Sequence, residues 1–325
     1  MRDYEQELQQ SQQFLTKHDD FLIVSHVQPD GDAVSSTLVV GWLLSCLGKK
    51  YVMVNEGAVP SRMLDLEHAS DIINLSVAPL DRKYSHVICV DCADFARVGT
   101  VKQYFNEDVQ ILNIDHHATN DSYGAVNYIV PDAAATAEIL FDLVTYMKLE
   151  LTKPVATALY TGLLTDTGGF RYSNTTPKVM QIASELLKYG VDGPGICQRL
   201  LEEMSPAQMK LLTRALNNLF MSEDGKISWV VVNEQDLEAT GAVYEDLEGL
   251  VNYPRNIQGV EVGLLFKVIN DNAVKVSMRS AGLVDVAEVA HHFGGGGHVR
   301  AAGVKMLGNV NDIINLIIEQ VKSKL

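Results

Sequence analysis

Apolar residues run along this chain in two rhythms. Short, largely apolar runs occur at Phe21-Leu22-Ile23-Val24, at His86-Val87-Ile88-Cys89-Val90 and at Val109-Gln110-Ile111-Leu112-Asn113-Ile114. Their length and composition predict strands buried on both faces of a parallel sheet. Shorter strands are expected at Tyr51–Val54 and over 125–130. Between these runs the apolar positions take helical spacing. A polar helix is predicted over 4–17, and further helices over 33–47, 134–147, Pro154–Leu164 and 176–189, with Gly48 and Gly190 as stops. Strand and helix alternate, which predicts an α/β domain: a parallel sheet with helices on both faces.

Three glycines and a proline in Gly190-Val191-Asp192-Gly193-Pro194-Gly195 mark a break. We expect a first domain over 1–189, a linker over 190–204 and a second domain over 205–325. The second pattern starts with a helix at 205–220, a strand at 227–233 and a helical stretch at 234–252. Strands at 259–269 and 273–280 follow, joined by a turn at Asn270-Asp271-Asn272. A helix at 285–292 leads into Gly294-Gly295-Gly296-Gly297-His298, then a strand at 301–306 and a helix at 310–323. This reads as a smaller, mixed α/β domain.

The 325 residues suffice for two domains, and 47% hydrophobic with 21% charged residues is ordinary for a globular protein. A formal net charge of −15 argues against binding long nucleic acid, which needs many cation–phosphate contacts. It leaves room for a small phosphorylated ligand, because bound cations invert the sign of an acidic pocket. The sequence shows no apolar run long enough for a membrane span, and its N-terminus lacks the pattern of a signal peptide. A cytoplasmic location is the expectation. Cys89 and Cys92 are spaced C-x-x-C, but no second pair completes a zinc site, so two reduced, buried thiols are expected. The N-terminal helix and an apolar linker face leave a homodimer open.

The ends of the runs carry the chemistry. His26, Asp30 and Asp32 follow the first, Asp91 the second, and Asp115-His116-His117 the third; Asp166 ends the helix that begins at Pro154. Ligands in open α/β sheets bind outside the carboxyl ends of the strands. Taken singly, an aspartate there is more often a cap and a histidine more often structural. Together they form an oxygen and imidazole set suited to two divalent metal ions, which can clamp a phosphoryl oxygen. Histidine favours Mn²⁺, while carboxylates also accept Mg²⁺. In the second half, the N–H groups of Gly295, Gly296 and Gly297 could form an anion nest, with His298 as a further donor. Arg279, at a strand end, could take a phosphate bidentately. Arg255 is as compatible with a solvated loop as with a ligand.

Asp115-His116-His117 resembles the motif that names the DHH phosphoesterase superfamily. His26…Asp30-Gly31-Asp32, Val90-Asp91 and Thr165-Asp166-Thr167-Gly168 are similar to its other motifs, and the glycine run with His298 resembles the signature of the associated DHHA1 domain. The resemblance spans nearly the whole chain. It implies that His26 and Asp30 hold one metal, that Asp32, His116 and Asp166 hold the other, and that Asp91 bridges them. His117 would contact the scissile phosphate or assist the leaving oxygen, Asp115 would orient the histidine pair, and Arg279 would lie in the substrate pocket. Size and domain order are similar to enzymes of the superfamily that cleave short oligoribonucleotides to 5′-mononucleotides and remove the 3′-phosphate of 3′-phosphoadenosine-5′-phosphate (pAp), using two metal ions and a bridging hydroxide. A cyclic- or linear-dinucleotide phosphodiesterase shares these motifs. A pyrophosphatase of the superfamily would carry a basic cluster in place of the glycine run, and a RecJ-type exonuclease would need further modules. A non-catalytic nucleotide sensor would be favoured by an incomplete ligand set, and here the set is complete.

Overall fold

The computed structural model describes residues 4–270 and 272–325. The chain divides into two compact units, the first ending at Glu203 and the second spanning Met204–Leu325.

The first unit is built on six strands: β1 (Phe21–Val24), β2 (Tyr51–Asn55), β3 (Ile73–Asn74), β4 (Tyr84–Val90), β5 (Phe105–Asp115) and β6 (Val126–Ile129). They form an all-parallel sheet in the order β3-β2-β1-β4-β5-β6. The three sequence-predicted runs are its adjacent central strands. β1 shows why an unbroken apolar run suits this position. Phe21 and Ile23 join one core, while Leu22 and Val24 join the core on the opposite face. Five α-helices, α1 (Tyr4–Lys17), α2 (Gly31–Cys46), α3 (Thr136–Tyr146), α4 (Lys153–Asp166) and α5 (Pro177–Leu187), contribute to the first of those cores. The second is closed by a 3₁₀ segment, Phe95–Tyr104, through Val98 and Val101. The covering of the two faces is therefore unequal. Helix starts follow local chemistry: Asp30 accepts Ala33 N–H at the head of α2, and Thr176 accepts Val179 N–H ahead of Pro177.

The segment 190–204, expected as a linker, is largely part of this unit. It forms α6 (Gly193–Cys197) and a wide π-type turn, Gln198–Glu202, and its Val191, Ile196 and Leu200 are buried in the first core. The glycines and proline that read as a break instead shape a helix start, with Asp192 accepting Gly195 N–H. Cys89 and Cys92 are free and buried, and burial pushes the Cys89 thiol up to about 12.

The second unit carries α7 (Pro206–Asn217), α8 (Glu234–Thr240), α9 (Asn252–Arg255), α10 (Val286–His292) and α11 (Val310–Lys322). Its strands are β7 (Phe220–Met221), β8 (Ile227–Val232), β9 (Val262–Asn270), β10 (Ala273–Ser280), β11 (Gly296–His298) and β12 (Ala301–Leu307). They lie in the order β11-β12-β10-β9-β8-β7; β8 and β9 are parallel and the other pairs antiparallel. The helical stretch predicted over 234–252 is broken, because Gly241 takes a left-handed φ of 70° and closes α8. Of the predicted turn Asn270-Asp271-Asn272, Asp271 lies outside the described residues. Among the described residues, no helix is long and apolar enough to cross a membrane.

Candidate active site

Parallel packing brings the ends of β1, β4 and β5 to one rim, so residues far apart in sequence meet there. His26 follows β1, Asp91 follows β4, Asp115 ends β5 with His116 and His117 behind it, Asp32 lies in the first turn of α2, and Asp166 ends α4. Asp91 occupies the centre. Its Oδ2 is 3.5 Å from His26 Nε2, and its Oδ1 is 3.5 Å from His116 Nε2 and 3.7 Å from His117 Nδ1. His116 Nε2 also lies 3.3 Å from Asp166 Oδ2, and His26 Nε2 lies 3.8 Å from Asp30 Oδ2. Asp91 adopts φ 53°, a left-handed conformation rare for a residue with a side chain. Such backbone strain concentrates at functional sites.

Each imidazole is held from behind. His26 Nδ1 lies 2.8 Å from the Val27 carbonyl and His116 Nδ1 3.2 Å from the Ala133 carbonyl. In both, Nδ1–H donates to a carbonyl and Nε2 turns toward the carboxylates, the arrangement of a metal-ligating histidine with its orienting partner. His117 Nδ1 is 2.7 Å from Asp115 Oδ1, and Asn120 Nδ2 donates to Asp115 Oδ2 at 2.6 Å. Asp115 thus steadies His117 directly, and a backbone carbonyl steadies His116.

The electrostatics follow from burial. Desolvation would raise the Asp91 carboxyl, but His116, His26 and His117 hold it well below the usual carboxylate range. Desolvation opposes protonation of His116 and His26 as well. The carboxylates prevail, Asp166 and Asp91 at His116 and Asp91 and Asp30 at His26, and both imidazoles titrate above their ordinary value. Asp32 is raised well above the usual range by burial and by its neighbours Asp166 and Asp91. Asp166 is pushed up to about 6 by burial, with His116 opposing and Asp30 and Asp91 adding to the rise. Carboxylates so crowded in a dry pocket are strained by their own repulsion, and a divalent cation would relieve it.

The donor set fits such cations. One oxygen or nitrogen from each of His26, Asp30 and Asp91 lies within 4.8 Å of the others, and the same holds for Asp32, His116 and Asp166. Asp91 reaches His26 of the first group with one oxygen and His116 of the second with the other. All the sequence-predicted ligands of the first unit are therefore together.

Several contributors were not legible as functional. Thr136 donates its hydroxyl to Asp91 Oδ1 at 3.2 Å, and the backbone N–H groups of Thr136 and Ala137 donate to Asp32 at 2.6 and 3.0 Å. The start of α3 thereby grips two of the carboxylates. Buried Glu138 accepts Ala134 N–H at 2.9 Å and braces the turn whose Ala133 carbonyl holds His116. Asn174 ties the Ala134 and Asp166 carbonyls together. Gly162 leaves space for Asp32: a Cβ there would lie 2.6 Å from Asp32 Oδ1. No sequence signal marks these residues: Thr136 falls inside the helix expected over 134–147 and is the first residue of α3.

The second unit places Arg279, Gly296, Gly297 and His298 on one sheet, whereas Arg255 ends α9 and Gly295 lies between α10 and β11. Arg279 on β10 pairs with Ala301 of β12, which pairs with His298 of β11. Gly263 stands opposite Arg279, and the backbone of Arg255 passes so close that a Cβ on Gly263 would lie 2.4 Å from its nitrogen. The glycine run is not a free loop. Gly294, at φ 80°, closes α10, and Gly296–His298 forms the edge strand β11. Gly295 and Gly297 are glycine because β12 backbone oxygens would lie 2.4 and 2.5 Å from a Cβ there. Gly296 has open space beside it.

Residues 20–163 match the DHH family, N-terminal domain, and residues 219–323 match the DHHA1 domain. The chain is 34% identical over 305 residues to the bifunctional oligoribonuclease and PAP phosphatase NrnA of Thermus thermophilus, covering 93% of this chain and 89% of that protein. It is 30% identical to a probable bifunctional oligoribonuclease and PAP phosphatase NrnA of Streptococcus mutans, covering 88% and 89%. The crystal structure of an exopolyphosphatase-related protein from Bacteroides fragilis superposes with a TM-score of 0.89 at 24% identity, covering 98% of this chain and 96% of that one, and shares the fold. With both domains in order and the two motif sets in place, the chain belongs to the DHH phosphoesterase family, in its DHHA1-bearing branch.

Proposed function

We propose that this protein is a metal-dependent phosphoesterase that hydrolyses short oligoribonucleotides to 5′-mononucleotides and removes the 3′-phosphate of pAp. The observation that carries the reading is Asp91, one buried carboxylate whose two oxygens face two separate donor groups. The names of the relatives supply the substrate class. His26 and Asp30 would hold one cation, Asp32, His116 and Asp166 the other, with Asp91 shared. Imidazole in both groups favours Mn²⁺, with Mg²⁺ as the alternative. Two bound cations supply Lewis acidity at a phosphoryl oxygen and ready deprotonation of water. The chain supplies the rest. His117, its Nδ1 held by Asp115, offers Nε2 to the scissile phosphoryl group and can deliver a proton to the leaving oxygen. Burial of Asp32, Asp91 and Asp115 keeps bulk water from competing with these contacts. In the second unit Arg279, His298 and the N–H groups at Gly296 and Gly297 would bind substrate phosphate, with Arg255 beside them; Gly295, expected to join that nest, instead donates its N–H to the Ala290 carbonyl at 2.8 Å.

The test is a substrate panel: RNA and DNA dinucleotides, a pentanucleotide, pAp, linear and cyclic dinucleotides, and pyrophosphate, each with Mn²⁺ and with Mg²⁺. Short RNA and pAp are expected to be hydrolysed, and Asp91→Asn to abolish turnover. Hydrolysis confined to cyclic dinucleotides or pyrophosphate, or full activity in the variant, would overturn the assignment.

A further inference from the structure

Asparagine is depleted in strands, yet Asn113 lies fully buried within β5, between Leu112 and Ile114. Its Nδ2 donates to Asn120 Oδ1 at 2.9 Å and to Asn127 Oδ1, its neighbour on β6, at 3.3 Å. Its own Oδ1 is buried without a partner among the described residues. An orphaned buried acceptor is costly, and leucine, which branches at the same atom, would leave none. The amide is therefore kept for its two N–H groups, and its neighbours leave it one orientation. Asn127 Oδ1 accepts Gly124 N–H at 3.0 Å and its Nδ2 donates to the Gly124 carbonyl at 2.7 Å. Asn120 Oδ1 accepts Ser122 N–H at 2.8 Å, and its Nδ2 donates to the Cys92 carbonyl at 3.2 Å and to Asp115 Oδ2 at 2.6 Å. Both amide oxygens thus face Asn113. Gly124 belongs to the same arrangement: a Cβ there would lie 2.9 Å from Asn127 Oδ1 and 3.0 Å from Asn113 Cβ.

The polarity of this chain of bonds continues to the site. Asp115 accepts Asn120 Nδ2–H on one oxygen and His117 Nδ1–H on the other. A carboxylate that only accepts keeps the histidine proton on Nδ1 and turns Nε2 outward. We propose that Asn113 and Asn120 are positioning residues for the hydrolysis: acting through Asp115, they fix the ring of His117 and with it the delivery of a proton to the leaving oxygen. The donor groups of Asn113 are spent on Asn120 and Asn127, so it acts on the reaction only through the relay. The inference rests on the phosphoesterase reading above and adds to it two asparagines outside the proposed ligand set.

The experiment uses the full chain with Mn²⁺ and two substrates. One is an RNA dinucleotide, whose leaving alkoxide needs a proton. The other is the p-nitrophenyl ester of a nucleoside 5′-phosphate, whose leaving phenolate does not. Asn113→Leu is expected to lower kcat for the dinucleotide about tenfold, as loss of an outer-shell partner does, and to leave kcat for the ester within about twofold. KM and the Mn²⁺ midpoint should stay in place. Asn120→Ala, one link nearer, should show the same split with a larger loss. Should Asn113→Leu fail to fold, Asn113→Thr takes its place: it suits a strand and cannot donate to both oxygens. A purely structural role would lower both substrates together, so equal losses, or no loss on either, would overturn the proposal. Where the wild-type chain does not turn over one of the two substrates, the relay is judged by the His117 Nδ1–H resonance in protein labelled with ¹⁵N-histidine; where it turns over neither, the phosphoesterase reading fails as well. Faster exchange of that proton with water in the Asn113 variant upholds the relay, and unchanged exchange refutes it.

Discussion

Replacing Thr136 with Val should separate metal binding from folding. The side chain is fully buried and its hydroxyl donates to Asp91 Oδ1 at 3.2 Å. Valine has nearly the same shape, so no cavity opens, and the backbone N–H to Asp32 is retained. What is lost is one hydrogen bond to an ionised carboxylate, about 1.5–3 kcal/mol. Asp91 keeps its imidazole neighbours and valine gains apolar burial, so stability should move by about 1 kcal/mol or less. The loss should appear in how firmly Asp91 is aimed at its two donor groups. Loss of such an orienting partner costs about 10–100-fold in metal affinity. The assay is the midpoint of activity against Mn²⁺ concentration, alongside thermal unfolding without metal. Thr136→Ser is the control: it keeps the hydroxyl and deletes a buried methyl, so its Tm should fall while its Mn²⁺ midpoint stays. If Thr136→Val leaves the midpoint in place, or Thr136→Ser shifts it equally, the hydroxyl does not orient Asp91.

Asp115→Asn should lower kcat by about 10–100-fold and leave the Mn²⁺ midpoint nearly unmoved, because in the proposed ligand assignment its partner His117 serves the phosphoryl group and not a cation; a shift of the midpoint instead would place His117 among the ligands. Gly162→Ala raises intrinsic helix propensity, yet its Cβ would press on Asp32 Oδ1 and on Ala137, so a net destabilisation of about 1–3 kcal/mol together with weaker metal binding is expected in denaturant unfolding and Mn²⁺ titration. Lys267 titrates near 8 in the folded chain against about 10.4 unfolded, so between those values the unfolded state binds the extra proton and stability rises with pH. Lys267→Met should therefore be more stable than wild type below pH 8, with the advantage fading toward pH 10.5; a pH-independent difference in Tm would show that burial of this ammonium carries no penalty.

The central strands and the ligand set were both readable from residue order, for one reason. A strand buried on both faces of a parallel sheet excludes charge and admits a polar side chain only where it is hydrogen-bonded, as Asn113 is to Asn120 and Asn127, so the first acid or histidine marks the rim. Phe21–Val24, Val87–Val90 and Ile111–Ile114 end in this way, and the acids and histidines after them are the ones that meet. The turn Gly190–Gly195 misled because glycine and proline mark any backbone that departs from regular structure; whether Val191, Ile196 and Leu200 are wrapped into a core depends on what packs over them. The glycine run is ambiguous for a related reason: freedom from a Cβ serves an anion nest or a close backbone approach equally, and it is the β12 backbone that requires glycine at Gly295 and Gly297.

Residue types and their order along the chain thus dictate an α/β sheet with a rim of oxygen and imidazole donors, because periodicity and burial are local properties. Orientation is not local. That Asp115 grips His117 while a carbonyl at Ala133 grips His116, that the head of α3 clasps Asp32 and Asp91, and that Lys267, Lys275 and Lys305 stand in one row follow from strand register and helix approach. Those distances exist only once segments a hundred residues apart have packed, as Asp32 and Thr136 do.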